Sequence, residues 1–415
     1  MSKSTKYLVL TLSLAVVLFT VIGGLGVHAS TSNSDGAYTQ QKVMSEVIFH
    51  INQYYVEQPK MNVVTDGALH GMLESLDPNS SYLNPAEYKA YKQRKATGSA
   101  NVGATVSKRF GFGAVVSVIP GGPAAKAGIE PGDILEAIND KTTAGMSLAE
   151  IRSVLTGDAG SQLNFTVIRP RKAEPLKLTV ARQAPAIPPA SAKMLEAGIG
   201  YVKLDALTKG KAQEVAARIK DLEKQGAKKL VLDLRNVAEG DQEEGVAAAN
   251  LFLDHGLIAY LEGQKYSRVS YNADPAKAIT NLPLVVLVNR STAGAAELVA
   301  AAILENARGD VLGGKTYGEG SVQKLIEIPD GSALILSIAK YYSPGGKAIQ
   351  DNSVTPNIQV ADSRDDFAGP DEDDNAPASS PEAKPQTDDQ LKRAIEVLKS
   401  KDQKAELKAA PAAQR

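Results

Sequence analysis

Beyond Pro189 the chain alternates strand-length apolar runs with helical stretches, and this alternation limits the fold more than any other feature of the sequence. Strands are expected at Ile199 to Leu204, Leu230 to Leu234 and Leu284 to Val288. Between and after them come a long amphipathic helix from Gly210 to Gln225, and helices at Glu243 to Leu253 and Ala295 to Asn306. Consecutive strands joined through helices are βαβ units, so the expectation is an α/β fold around a mostly parallel sheet. A strand at Leu334 to Ala339 and a turn at Ser343-Pro344-Gly345-Gly346 close this region.

Composition narrows the chemistry. The 415 residues allow two or three domains, and 43% hydrophobic content supplies their cores. A net charge of -1 leaves no cationic excess for a phosphate backbone, so nucleic acid is not an expected partner. There is no cysteine, which excludes thiol nucleophiles, disulfides, thiolate zinc sites and a lipid-anchored cysteine. The four histidines, His28, His50, His70 and His255, stand singly with no HxxxH or HxH pair. No metal and no cofactor is expected, and catalysis would fall to hydroxyls, carboxylates, amines or a lone imidazole.

Lys3 and Lys6 precede an apolar run from Tyr7 to Val27 that closes at Val27-His28-Ala29. This layout at 1–29 predicts an export signal, either cleaved or kept as a membrane anchor, with the rest of the chain in the periplasm or on the extracytoplasmic face of the cytoplasmic membrane. Helical periodicity fills 38–95, through Val43, Val47, Ile48 and Ile51 and then Leu69, Met72, Leu73 and Leu76, with Pro59 between the two helices. Asp77-Pro78 ends the second helix and Asn84-Pro85 starts another.

After Gly98 the period changes to two, with strands expected at Val102 to Val106 and Ala114 to Val118. A short helix closed by Gly128, a turn at Pro131-Gly132 and a strand through Ile138 follow. Ser147 and Glu150 have capping-box spacing for a helix to Leu155, and Leu163 to Ile168 is a further strand. The run GGPAAKAGIEPGDILEAIND (121–140) resembles a PDZ domain, here spanning 96–184. The resemblance implies capture of a peptide carboxylate by the loop Asn101-Val102-Gly103-Ala104, where Asn101 replaces the first glycine, or a PDZ fold kept only for packing. Residues 361–386 are rich in Asp, Pro, Ser and Ala and read as a disordered linker before a C-terminal region at 387–415, a short amphipathic helix at Thr387 to Lys399 followed by a tail.

Taken in order, GMLESLDPNSSYL (71–83), the PDZ run, GIGYVKLDAL (198–207), LVLDLRN (230–236), LVVLVNRSTAGAAELVAAAI (284–303), GGKTYGEGSVQ (313–323) and AKYYSPGGKAIQDNSVTPNIQV (339–360) resemble the carboxyl-terminal processing peptidases. That family implies exported serine peptidases with a Ser/Lys dyad, an inserted PDZ domain and a crotonase-like core like that of ClpP and enoyl-CoA hydratase, placed here at 185–360. The family serine falls on Gly294, the family lysine on Glu319, and the glutamine that orients the lysine on Gln323. The oxyanion-hole region falls on Glu239, Gly240 and Ala295, where a proline is missing and Glu239 stands in place of a glycine.

Without a hydroxyl at 294 no acyl-enzyme forms there, so the expectation is a pseudoprotease that binds peptide or protein C-termini. Further expected partners are an active paralogous protease, envelope proteins or a second copy of the chain, and the membrane where the N-terminal segment is retained. Two catalytic alternatives stay open. One is a displaced nucleophile at Ser291 or Thr292 with Lys315 nearby, and the other is water activation by Glu319 with Gln323.

Overall fold

A computed structural model describes residues 34–97, 100–170, 172–361 and 388–409. The expected export segment at 1–29 and, but for its first residue, the expected linker at 361–386 lie outside the described residues. No described helix is long and apolar enough to cross a membrane.

The chain divides after Ala68 into two units. The first holds α1 (Ser34–Tyr54) and the start of α2 (Met61–Glu74), with Pro59 in the gap between them, as the periodicity predicts. Val43, Met44, Val47, Ile48 and Phe49 are exposed along α1.

The second unit opens with a turn in which Asp77 Oδ1 accepts the Asn79 and Ser80 N–H groups at 2.8 and 2.9 Å. This is the side-chain turn expected of Asp-Pro. It leads into β1 (Ser81–Leu83) and α3 (Pro85–Thr97), whose first turn is capped by Asn84 Oδ1, accepting the Ala86 and Glu87 N–H groups at 3.0 Å.

An inserted module follows, built from β2 (Ala104–Arg109), β3 (Phe112–Val118), α4 (Pro123–Lys126), β4 (Ile134–Ile138), β5 (Lys141–Thr142), α5 (Leu148–Leu155), β6 (Gln162–Ile168) and β7 (Leu176–Ala181). Its antiparallel sheet runs β2-β3-β4-β6-β7, with β5 beside β4. The capping box at Ser147 and Glu150 is present, and Leu148, Ile151 and Leu155 of α5 pack on Val106, Leu135 and Phe165. The expected strand at Val102 to Val106 is shifted. Gly103, at φ +71, keeps Asn101 to Gly103 as a loop, and β2 runs on to Arg109. Entry and exit of the module are zipped together, Asn101 and Gln183 exchanging backbone N–H···O bonds of 2.9 Å in both directions.

The rest of the unit comprises β8 (Ser191–Met194), β9 (Ile199–Lys203), α6 (Lys211–Lys224), β10 (Lys229–Asp233), α7 (Gln242–Asn250), β11 (Leu257–Gly263), β12 (Tyr266–Asn272), β13 (Leu284–Val288), α8 (Ala295–Glu305), β14 (Asp310–Gly313), β15 (Ser321–Glu327), β16 (Ala333–Tyr342), α9 (Ile349–Asn352), β17 (Ile358–Gln359) and α10 (Asp389–Ala409). The sheet β17-β14-β13-β10-β9-β8 is parallel except at its edge strand β8. Its central strands β10 and β13 are buried on both faces. Val202, Leu230, Leu232, Val286 and Val288 pack with α6, α7 and α8. On the opposite face Ile199, Val231, Val285, Leu287 and Leu312 pack under Ala394 and Leu398 of α10. Each such aliphatic side chain contributes about 1.5–3 kcal/mol by leaving water.

Three elements differ from the expectation. An antiparallel sheet, β1-β16-β11-β12 with β15 on β16, joins residues far apart in sequence, and Ile258, Ala259 and Leu261 carry it into the main core. The helix expected to reach Leu253 stops at Asn250, whose side-chain amide turns back to the Leu253 and Asp274 carbonyls. The C-terminal helix runs on to Ala409.

Candidate active site

The residues singled out in the core gather at the carboxyl ends of β10, β13 and β14, the edge where open α/β sheets place their ligands. Two polar links set the geometry of this edge. Buried Arg235 holds Asp233 and Asp388, with Nη2···O distances of 2.6 and 2.8 Å, which ties the end of β10 to the start of α10. The Tyr201 hydroxyl donates to Asp233 Oδ2 at 2.7 Å, so the buried carboxylate has partners on both sides. One residue further, Asn236 and Asn289 exchange two hydrogen bonds, of 3.0 and 2.9 Å, joining the loops that follow β10 and β13.

Gly294 is the N-cap of α8, with φ +61 and ψ -120. That conformation suits glycine and strains any residue with a Cβ. Its N–H donates to Glu297 Oε2 at 3.0 Å. Glu297 is fully buried and also accepts from the Thr316 hydroxyl and from the Gly318 and Glu319 N–H groups, both at 2.8 Å. Burial pushes its carboxyl up to about 8, against the pull of these donors. Glu297 therefore fastens the start of α8 to the loop after β14 and brings the backbones at 294 and 319 onto one carboxyl group. The resemblance did not single it out; at the third helical position it supplies the acidic half of a capping box, reaching back to the N-cap N–H, with no side chain at Gly294 to complete the pair.

The Glu319 side chain turns away to the inserted module, where its Oε1 accepts from Arg152 Nη2 of α5 at 2.8 Å. The same guanidinium donates to the Val106 carbonyl of β2, from Nη2 at 3.1 Å and from Nε at 3.3 Å. Gln323 turns its amide to Ser321 Oγ at 2.7 Å and to Ser337 Oγ at 3.4 Å. Thr292 is fully buried, its Oγ1 donating to the Leu234 carbonyl at 2.9 Å, and Ser291 is 3% exposed. Lys315 is exposed.

The acidic loop after β10 has local structural partners. Glu239 Oε2 lies 3.3 Å from Thr105 Oγ1 of β2, Glu244 accepts the Ala212 N–H of α6 at 2.7 Å, and Glu243 and Glu244 occupy the first turn of α7, where the helix dipole favours them. Gly240 lies against Leu207, since a Cβ there would come within 2.6 Å of the Leu207 carbonyl oxygen. Ala295, the first residue of α8, is buried against Gly245 of α7.

In the loop expected to capture a carboxylate, the Gly103 N–H already donates to Asn101 Oδ1 at 2.9 Å. Asn101, Gly103, Ala104, Lys126 and Glu239 line a small cavity of about 90 Å³, so a carboxylate there would meet one cationic and one acidic side chain. Val102 is buried, and its carbonyl accepts the Ala124 N–H of α4 at 2.8 Å. A much larger cavity of about 540 Å³ opens between the module and the core, with Glu319 in its lining.

The fold also places His70, Glu87 and Glu150 with ligand-type atoms within 4.8 Å of one another, a juxtaposition invisible in the sequence spacing. These groups are already engaged. His70 Nε2 lies 3.4 Å from Glu87 Oε2, and Glu150 Oε2 accepts the Ser147 N–H at 2.8 Å.

Comparison with known proteins gives two matching family models, Peptidase family S41 over residues 198–360 and PDZ domain over residues 115–169. The chain is similar to the carboxy-terminal processing protease CtpA of Bacillus subtilis (strain 168), 31% identical over 348 residues that cover 83% of this chain and 74% of the relative. It is also similar to the chloroplastic C-terminal processing peptidase of Tetradesmus obliquus, 30% identical over 349 residues, 79% of this chain and 75% of the relative. Among solved structures it resembles the photosystem II D1 C-terminal processing protease, with a TM-score of 0.63 and 29% identity over 75% of this chain and 85% of that one.

Proposed function

For a chain that belongs to the carboxy-terminal processing proteases of peptidase family S41 and carries their PDZ domain, we propose a non-cleaving role, the binding of peptide or protein C-termini as a pseudoprotease. The observation that carries this reading is the pair of substitutions at the family's dyad positions. Gly294 begins α8 with no hydroxyl, and Glu319 supplies a carboxylate already paired with Arg152 instead of a free amine. Acyl transfer needs a nucleophile with a base in reach, and neither is provided here. Catalysis by a displaced hydroxyl is disfavoured by the burial of Ser291 and by the commitment of the Thr292 proton to Leu234. Water activation by Glu319 is disfavoured by its ion pair, which engages the carboxylate with Arg152 of the inserted module. The basic residues and apolar run at 1–29 support action outside the cytoplasmic membrane. There the chain would hold chain ends, or control an active relative.

The test incubates the full chain with an unfolded protein and with peptides ending in small apolar residues, beside Ser291→Ala, Thr292→Ala and Glu319→Ala variants. Binding without a new N-terminus in any sample is the expected result. Cleavage by the parent that one of the variants abolishes would overturn the reading.

A further inference from the structure

Away from the dyad positions and the PDZ loop, three side chains of metal-ligating type converge where the inserted module meets the helices before it. His70 comes from α2, Glu87 from α3 and Glu150 from α5, and their ligand-type atoms all lie within 4.8 Å of one another. His70 Nε2 and Glu87 Oε2 are 3.4 Å apart. That is long for a charge-assisted N–H···O bond, which settles at about 2.7–2.9 Å. It matches two ligands of one tetrahedral ion of zinc type, which at bonds of about 2.0–2.2 Å stand about 3.3–3.6 Å from each other. Each side chain is also held in place by a further contact. The imidazole meets the Tyr82 ring edge to face, with centroids 5.4 Å apart. Glu87 and Glu150 are each the third residue of a helix and close a capping box, Glu87 Oε2 accepting the Asn84 N–H at 2.9 Å and Glu150 Oε2 the Ser147 N–H at 2.8 Å. An ionised carboxylate has about four lone-pair sites, so a cap engages each group without exhausting it.

We infer that His70, Glu87 and Glu150 form a binding site for a divalent transition-metal ion of zinc type, which ties α5 of the PDZ module to the segment 70–87. The donor set selects this class of ion. Imidazole suits zinc and its transition-metal neighbours, whereas calcium takes about six to eight oxygen ligands and magnesium a near-octahedral oxygen shell. Glu150 is buried and the other two residues are half-buried, so the ion sits at the rim of the contact with a fourth position open to water. The capping bonds then serve as outer contacts that orient the two carboxylates. Two lysines stand near. Lys108 is committed to Glu74 and, at 2.9 Å, to the Met146 carbonyl, and Lys141 is exposed. The inference stands apart from the pseudoprotease reading, because none of the three residues lies at a dyad, oxyanion or PDZ-loop position.

The experiment strips the full chain of metal with a chelator and titrates it by calorimetry with zinc chloride alone, then with magnesium or calcium chloride as competitor. Zinc should bind and raise the melting temperature, and neither magnesium nor calcium should displace it. His70→Gln, Glu87→Gln and Glu150→Gln should each weaken zinc by about 100-fold or more, since loss of an outer-shell partner alone costs about 10–100-fold. Glutamine serves in a capping box as glutamate does, so Glu87→Gln and Glu150→Gln keep their helix starts and remain folded. His255→Gln, at the exposed pair of His255 with Asp254, should leave the affinity unchanged. Cobalt(II) on the parent should show the visible absorption of a four-coordinate ion, a readout that needs no variant. Zinc affinity that survives His70→Gln and Glu150→Gln, or that falls in His255→Gln instead, would reveal adventitious surface binding and overturn the site. Absence of zinc binding, displacement by magnesium or calcium at equal concentration, or a six-coordinate cobalt spectrum would overturn it as well.

Discussion

At Gly294 two physical demands meet. The backbone at φ +61 favours the absence of a Cβ, while the space beside it would admit one, the nearest atom being Gln242 Nε2 at 3.4 Å. Gln242 Oε1 is buried with no protein partner. Gly294→Ala should therefore lower unfolding free energy by about 1–3 kcal/mol in urea titrations, the range for a residue held in a sparsely populated conformation. Gly294→Ser should cost less, because its hydroxyl can reach Gln242, and an equal or larger loss for serine would reject this account. His70 and Glu87 give a second prediction at this scale. The Glu87 hydrogen bond raises the imidazole above 6.5, against the opposing effect of burial. Burial works to raise Glu87, but the bonds from His70 and Asn84 overcome it and hold the carboxyl below 4.5. The His70 contribution is then complete below pH 6.5 and is lost as pH rises through the elevated value, while that of Glu87 is complete above pH 4.5 and is lost as pH falls through the depressed one. Replacing His70 by Gln should remove an alkaline loss of about 1 kcal/mol, read from chemical unfolding across pH 5 to 9; superimposable profiles for parent and variant would count against it.

Among the elements, those that announce themselves locally were legible in the sequence. Ser147 and Glu150 cap α5, Asn84 caps α3, and the apolar runs of β9, β10 and β13 lie where the alternation put them. Ser147→Ala should destabilise the PDZ module by about 1 kcal/mol, measured by thermal unfolding, since two reciprocal hydrogen bonds at the start of α5 are lost. What the sequence withheld depends on distant partners. β7 carries the right alternation at Leu176, Leu178 and Val180, but only its pairing with β6 makes it a strand. The sheet of β1 and β16 rests on Ser81 meeting Ile335, which no local pattern encodes. The candidate site divides in the same way. Gly294 and Glu319 were found by motif, whereas Arg152 reaches Glu319 across 167 residues.

On the scale of the molecule, the PDZ module and the core meet through Arg152 with Glu319 and Thr105 with Glu239, two glutamates at positions that the family resemblance implies for the dyad and the oxyanion loop. A double-mutant cycle on Arg152→Ala and Glu319→Ala should return a coupling of about 0.5–1 kcal/mol, as for other partly exposed ion pairs, and additive single effects would show that the contact does not join the domains. Glu319→Lys should weaken the same contact, because it sets a second cation beside Arg152, so restoring a family-like dyad would also disturb the PDZ position. The placement of β1 imposes an order on biosynthesis. The sheet of the inserted module is complete once Ala181 has been made, but Ser81 must wait for Ile335, and Arg235 for Asp388. During synthesis the first strand of the core is a long-lived unpaired edge, exposed until nearly the whole polypeptide has been made. Nascent chains truncated before β16 should therefore be the species most prone to aggregate or to need a chaperone.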